Sequence, residues 1–219
     1  MSTVSVIRHP GVLGRTTRQR LVGVTTALTI TVVEALAVGF WFGLVVGSGT
    51  TTAALLGLGI LCCGAFLRAG IVDSTVSNAR SAVYLRRGST ALTLAAGWVA
   101  WLLIAEFIAG LTGLIVATVF LTGLLTAQFC FERRLFQPQS PNLSSFDPIL
   151  SAALLAIGAS TLLATAWFAD WTNGSPLVEL EVTSIVILVE AVQVAALAFV
   201  CCAFLAHQYR VQRLLDSDV

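Results

Sequence analysis

Charged residues are scarce in this sequence, and lysine is missing altogether. Of the 219 residues, 11% are charged and 57% are hydrophobic, and all 12 basic residues are arginines. A soluble domain carries charge on about a quarter of its residues, so this chain lacks the polar groups to cover a globular surface. The composition excludes a soluble enzyme and a nucleic-acid-binding protein, and the missing lysine excludes chemistry that needs a lysine amine.

Histidine and cysteine are too few and too scattered for metal or haem chemistry. Both histidines, His9 and His207, are expected at the inner membrane surface, so no span supplies an axial haem ligand. The five cysteines form no C-x-x-C pattern, and no H-E-x-x-H motif occurs. We therefore predict that the protein is not an enzyme and uses no metal or cofactor.

Long apolar runs dominate what is present. A helix needs about 20 mainly apolar residues to cross a bilayer, and six segments meet this requirement. They cover about 21–46, 52–69, 90–109, 111–131, 148–169 and 183–206. The predicted fold is an all-α, six-helix integral membrane bundle, with a basic N-terminal segment over 1–20 and a C-terminal tail over 207–219.

The arginines predict the orientation of these spans. With six spans, every arginine falls in segments on one side of the bilayer, at positions 8, 15, 18, 20, 68, 80, 86, 87, 133, 134, 210 and 213. The positive-inside rule places that side in the cytoplasm. We therefore expect a multi-pass protein of the cell membrane, surrounded by lipid, with both termini cytoplasmic.

Three carboxylates interrupt the predicted spans. Glu34 lies near the middle of the first, Glu106 near the outer end of the third, and Glu190 about a third of the way into the sixth. No arginine or histidine is expected at a matching depth. A carboxylate buried in a bilayer is costly unless it is protonated, binds a cation or faces water. These three residues, with Gln193, are the candidate proton or cation sites.

Hydroxyl groups on several spans extend this pattern. One turn of helix takes 3.6 residues, and the spacing predicts a polar lane beside Glu34 and Glu190. Its members are Thr31, Thr118, Thr122, Thr126, Thr161 and Thr165. The alternative interpretation is structural, because threonine hydroxyls in membrane helices commonly bond a carbonyl of their own helix.

A glycine stripe on the first span suggests a second kind of function. Gly39, Gly43 and Gly47 lie four residues apart, roughly opposite Glu34, and such small residues permit close helix approach. Two hypotheses therefore stand. The first is a small transporter or channel-like protein coupled to protons or cations through the glutamates. The second is a non-catalytic membrane subunit that assembles with another copy or a partner protein through this stripe.

Overall fold

The fold is described from a computed structural model of the chain. It covers residues 10–76, 83–136, 146–169, 178–182 and 185–216, and its side chains are described over 20–72, 88–132, 148–169 and 190–212. The elements, in chain order, are α1 (Pro10–Ser48), α2 (Thr51–Val76), α3 (Val83–Ile108), α4 (Gly110–Phe136), α5 (Phe146–Phe168), β1 (Val178–Val182), β2 (Ile185–Val189) and α6 (Ala191–Asp216).

The prediction of six long apolar helices is confirmed. Each helix contains a stretch of 21 residues or more that is apolar enough to cross a membrane. The first five stretches match the predicted spans to within three residues at either end. Six such helices are consistent with a multi-pass membrane protein.

The predicted start of the sixth span is wrong. We expected that helix to begin at about Thr183, but α6 begins at Ala191. The preceding residues form an antiparallel hairpin in which Val178 pairs with Val189, and Val182 with Ile185. Four of the five residues of β2 are β-branched, which favours a strand, and β1 alternates apolar residues with glutamates, the period of a strand. A short apolar run looks the same in a strand and in a buried helix, so hydropathy alone merged β2 with α6.

The six helices form a closed ring in chain order. Each packs against the next, and α6 packs against α1. We call the ring's two ends the outer end, where the short α1–α2 and α3–α4 connections lie, and the terminal end, where α1 begins and α6 ends. The middle of the ring is filled by one continuous apolar cluster, including Trp98, Trp101, Leu121, Leu125 and Phe199.

The outward-facing surface of the ring is also apolar. Large side chains such as Leu55, Val119 and Leu197 are each more than three-fifths exposed, and Phe107 is 92% exposed. A soluble bundle places polar residues on that face. Apolar side chains both inside and outside the ring are what lipid surroundings require.

Two turns at the outer end depend on backbone conformations that suit glycine. Gly49, after α1, has a φ of 58°, and Gly110, which opens α4, has a φ of 62°. Gly113 lies so close to the preceding turn that a Cβ atom would sit 2.7 Å from the carbonyl oxygen of Ala105. These glycines allow antiparallel helices to follow each other almost without a loop.

Candidate functional site

Glu34 of α1 is buried and ion-paired, contrary to the expectation that it has no cationic partner. It is 3% exposed, and Arg68 of α2 donates from Nη1 to Glu34 Oε1 at 2.7 Å. His207 of α6 uses Nε2 to bond the other carboxylate oxygen, Glu34 Oε2. Arg68 and His207 are buried as well, so one carboxylate joins three helices.

Depth along the helices explains how these three residues meet. Glu34 lies 14 residues before the end of α1, Arg68 lies 17 after the start of α2, and His207 lies 16 after the start of α6. At 1.5 Å per residue, the distances from the outer end are about 21, 26 and 24 Å. His207, which we predicted to lie in a tail after the sixth helix, lies inside α6, because that helix starts later and continues to Asp216.

A second carboxylate has a matching arrangement closer to the terminal end. Arg210 of α6 donates from Nη2 to Glu132 Oε2 of α4 at 2.6 Å. Gln128 donates from Nε2 to Glu132 Oε1 at 3.1 Å and to the carbonyl oxygen of Thr90, on α3, at 3.3 Å. Glu132, like Glu34, therefore has both oxygens occupied and links helices that are distant in the sequence.

The ring of Phe129 contacts the arginines of both ion pairs. The guanidinium carbon of Arg210 lies 3.9 Å from the centre of the Phe129 ring, and that of Arg68 lies 5.6 Å from it. Both separations are within the range of a cation–π contact. Together these residues form what we call the polar cluster, with members on five of the six helices: Glu34, Arg68, Thr90, Gln128, Phe129, Glu132, His207 and Arg210.

The charges in the polar cluster balance when His207 is neutral. Two glutamates then face two arginines, and a neutral imidazole with its proton on Nε2 donates to Glu34. His207 Nδ1 is buried and has no partner among the described residues, so no acceptor is in place for a second imidazole proton. One added proton would give the cluster a net positive charge where charge is expensive.

Small residues let the helices approach closely beside this cluster. A Cβ atom on Gly64 of α2 would overlap the Cβ of Ala37 on α1. Gly64 precedes Arg68 by one turn, and Ala37 follows Glu34 by about one turn, so the tight crossing sets the distance that the ion pair spans. Among the described residues, α1 and α2 approach closely here and at Gly57, which faces Trp41, but not at the predicted glycine stripe.

A layer of aromatic side chains lies on the outer side of Glu34. Trp98 packs edge-on against Trp101, with ring centres 5.7 Å apart, and against Phe199 at 6.2 Å. Phe42 lies 6.4 Å from Trp101. These four residues are about 9–15 Å from the outer helix ends, and all are buried. They separate the polar cluster from the outer end.

The other predicted glutamates do not meet Glu34. Glu106 is exposed near the outer end of α3, where Trp167 donates from Nε1 to its Oε1 at 3.1 Å. Glu190 lies just before α6, and its carbonyl oxygen accepts from the amides of Gln193 and Val194 at 3.1 and 3.3 Å. Gln193 is exposed in the first turn of that helix. The three glutamates therefore occupy separate places.

The threonines of the predicted polar lane make the hydrogen bonds that the structural interpretation predicts. The hydroxyls of Thr31, Thr118, Thr122, Thr126, Thr161 and Thr165 each bond a carbonyl three or four residues earlier in their own helix. One of them also bridges two helices, because the Thr118 and Ser160 hydroxyl oxygens are 2.5 Å apart. The cavity that Glu34 lines contains none of these threonines.

The predicted glycine stripe faces outward. Gly39, Gly43 and Gly47 are exposed, and a Cβ on any of them would meet no atom within 4 Å. These glycines therefore make no close helix contact within the part of the chain that the structure describes.

Sequence reasoning missed Gln128, Glu132 and Arg210. Glu132 was placed just beyond the fourth span, whereas the apolar stretch of α4 includes it. Two signals were present in the sequence. Gln128 and Glu132 are four residues apart, which puts them on one helix face, and His207 and Arg210 share a face of α6 in the same way.

Comparison of the chain with protein-family models, curated proteins and solved structures finds no significant match.

Proposed function

We propose that this chain is a small proton-coupled transporter of the cell membrane in which Glu34 and His207 exchange the proton. The observation that carries this proposal is the buried carboxylate shared by Arg68 and His207. The polar cluster is neutral when Glu34 is ionised and His207 carries only its Nε2 proton. Binding one further proton at this pair leaves an uncompensated buried positive charge, and releasing that proton restores neutrality. A second ion that binds nearby, or a movement of the arginines, can compensate this charge. Proton binding is in this way coupled to the binding of the ion or to a change in the structure.

The layers around Glu34 suggest the side from which the proton arrives. Toward the terminal end, Phe129 and the Arg210–Glu132 pair lie beside the site, and the Arg210 and Glu132 side chains keep 13% and 10% of their surface exposed. Toward the outer end lies the aromatic layer, whose four side chains are at most 2% exposed. In this proposal the Arg210–Glu132 pair is the inner gate, and both termini lie in the cytoplasm as the arginine distribution predicts.

Transport assays in reconstituted vesicles test the proposal. A pH gradient is set across vesicles that contain a trapped pH-sensitive dye, and monovalent cations, inorganic anions, organic amines and organic acids are added in turn. We expect at least one class to change the rate at which the gradient collapses. We expect Glu34→Gln to abolish that response and Glu106→Gln, a matched change of an exposed glutamate, to keep it. No response to any class, or an unchanged response in Glu34→Gln, would contradict transport.

The outward glycine stripe favours a second candidate function, that of a non-catalytic membrane subunit. An exposed Gly39/Gly43/Gly47 face leaves room for another transmembrane helix to approach. The partner is then a second copy or another membrane protein, and no catalytic step is involved. This candidate predicts a complex after gentle solubilisation that Gly43→Leu weakens and Val119→Leu, a change at an exposed position of α4, does not. A monodisperse monomer without a copurifying protein would rule it out.

A further inference from the structure

A small cavity lies between the Glu34–Arg68 ion pair and the aromatic layer. Its wall contains Glu34, Arg68 and Trp98, and is otherwise formed by apolar side chains and Gly64. The volume open to water is about 10 Å³, close to the least that holds one water molecule. The cavity therefore admits a single small molecule and nothing larger.

Two residues of the cavity wall each carry a hydrogen-bond donor that has no partner among the described residues. Arg68 Nη2 and Trp98 Nε1 are buried, and neither reaches an acceptor among the described residues. A buried N–H group without an acceptor is unfavourable, and such groups in folded proteins are normally satisfied by protein or by ordered water. Glu34, on the same wall, supplies carboxylate oxygens that accept further hydrogen bonds.

We infer that this cavity binds one ordered water molecule that bridges Arg68, Trp98 and Glu34. The water oxygen accepts from Arg68 Nη2 and from Trp98 Nε1, and one water proton is donated to the Glu34 carboxylate. Three polar partners are the usual number for a buried water. The site goes beyond the proposed function, because it follows from the cavity and the unpartnered donors whether or not the protein transports anything.

The water would give the polar cluster a hydrogen-bonded connection to the aromatic layer. Without it, the described hydrogen bonds of Glu34 go to Arg68 and His207, which lie about 3–5 Å farther from the outer end than Glu34. With it, the network continues from Glu34 to Trp98, on the side of the ring that faces the outer end. The bridged Trp98 N–H then reports directly on the state of Glu34.

Trp101 provides a matched comparison within the same molecule. Its Nε1 is also buried and without a partner among the described residues, but Trp101 does not line the cavity. A general tendency of water to enter the bundle would affect both indole groups. A site in the cavity affects Trp98 alone.

Nuclear magnetic resonance of protein with ¹⁵N-labelled tryptophan in lipid nanodiscs tests the inference. The indole signals are assigned with Trp98→Phe and Trp101→Phe, and transfer of magnetisation from water to each indole proton is measured. We expect a water contact at Trp98 and none at Trp101. Absence of the contact at Trp98, or equal contacts at both tryptophans, would overturn the site.

A cavity-filling variant locates the water independently. Val38 lines the cavity, whereas Val45 packs against the core without lining it. We expect Val38→Ile to abolish the water contact of Trp98 and Val45→Ile to keep it. If the contact survives in a folded Val38→Ile protein, the water lies elsewhere and the assignment is wrong.

Discussion

The two ends of the bundle place their carboxylates in very different surroundings. Toward the terminal end, Glu34 and Glu132 are buried, and each bonds an arginine from another helix. Toward the outer end, Glu106 is exposed and accepts from one tryptophan, while Glu190 lies at the start of α6. The comparison teaches that the position of a carboxylate within an apolar stretch does not by itself identify a functional site. Its burial and its hydrogen-bond partners do so much better.

The largest difference in the free energy of unfolding is expected between removing the arginine of the buried pair and removing an exposed arginine. Arg68→Leu leaves Glu34 buried with only His207, and loss of one partner of a buried ion pair costs about 3–5 kcal/mol. Reversible unfolding of the protein in mixed micelles measures this loss in the free energy of unfolding. Arg20→Leu, which changes an exposed arginine of α1, should alter stability by less than about 0.5 kcal/mol.

A second substitution separates pairing from simple burial of charge. Adding Glu34→Gln to Arg68→Leu removes the uncompensated carboxylate, so we expect the double variant to regain part of the lost stability. The loss of stability is also measured for Glu34→Gln alone. If the loss in the double variant equals the sum of the losses in the two single variants, the ion pair is not the interaction that joins α1 to α2.

A smaller difference is expected between two glycines. Gly64→Ala forces α1 and α2 apart where Ala37 contacts the α2 backbone, and overpacking of this kind costs about 1–3 kcal/mol. Gly43→Ala adds the same methyl group in open space and should keep or raise the free energy of unfolding, by up to about 1 kcal/mol, because alanine is the better helix former. Equal effects at both positions would show that the α1–α2 crossing does not depend on Gly64.

The smallest difference is expected between two threonines of α4. Thr118→Val removes the hydrogen bond to Ser160 between α4 and α5, and interhelical bonds of this type are worth about 0.6 kcal/mol in membrane proteins. Thr122 bonds only the carbonyl of Thr118 in its own helix, so Thr122→Val should cost less. The same unfolding measurement distinguishes them, and a larger loss in Thr122→Val would contradict the assignment of these hydroxyls.

The helices were predictable because each apolar run is long, and composition alone separates them from soluble helices. The start of α6 was not, because the β-branched residues of β2 continue directly into the apolar α6. That shift of eight residues, about 12 Å along a helix, made His207 look like a surface residue. The same shift placed Glu190 inside the membrane span instead of at its edge.

The pairing of Glu34 with Arg68 was not predicted, because the depth of each residue was counted from the centre of its own predicted span. Measured along α1, Glu34 lies in the middle of a long apolar run, whereas Arg68 lies at the end of a shorter one. Counted from the tight turn at Gly49, the two residues differ by only four positions, about 6 Å, a gap that a long arginine side chain spans. Counting from shared turns is thus a better guide to depth than counting from predicted span centres.

The central claim is that the Glu34–His207 pair binds and releases one proton beyond the Nε2 proton of His207. The most direct measurement is the protonation of His207, followed by ¹⁵N resonance in a His9→Asn protein, which leaves His207 as the only histidine. Over the pH range in which the protein stays folded, we predict that His207 titrates and that Glu34→Gln changes its titration. A His207 that keeps one protonation state throughout that range would contradict the claim and leave the polar cluster as a structural lock.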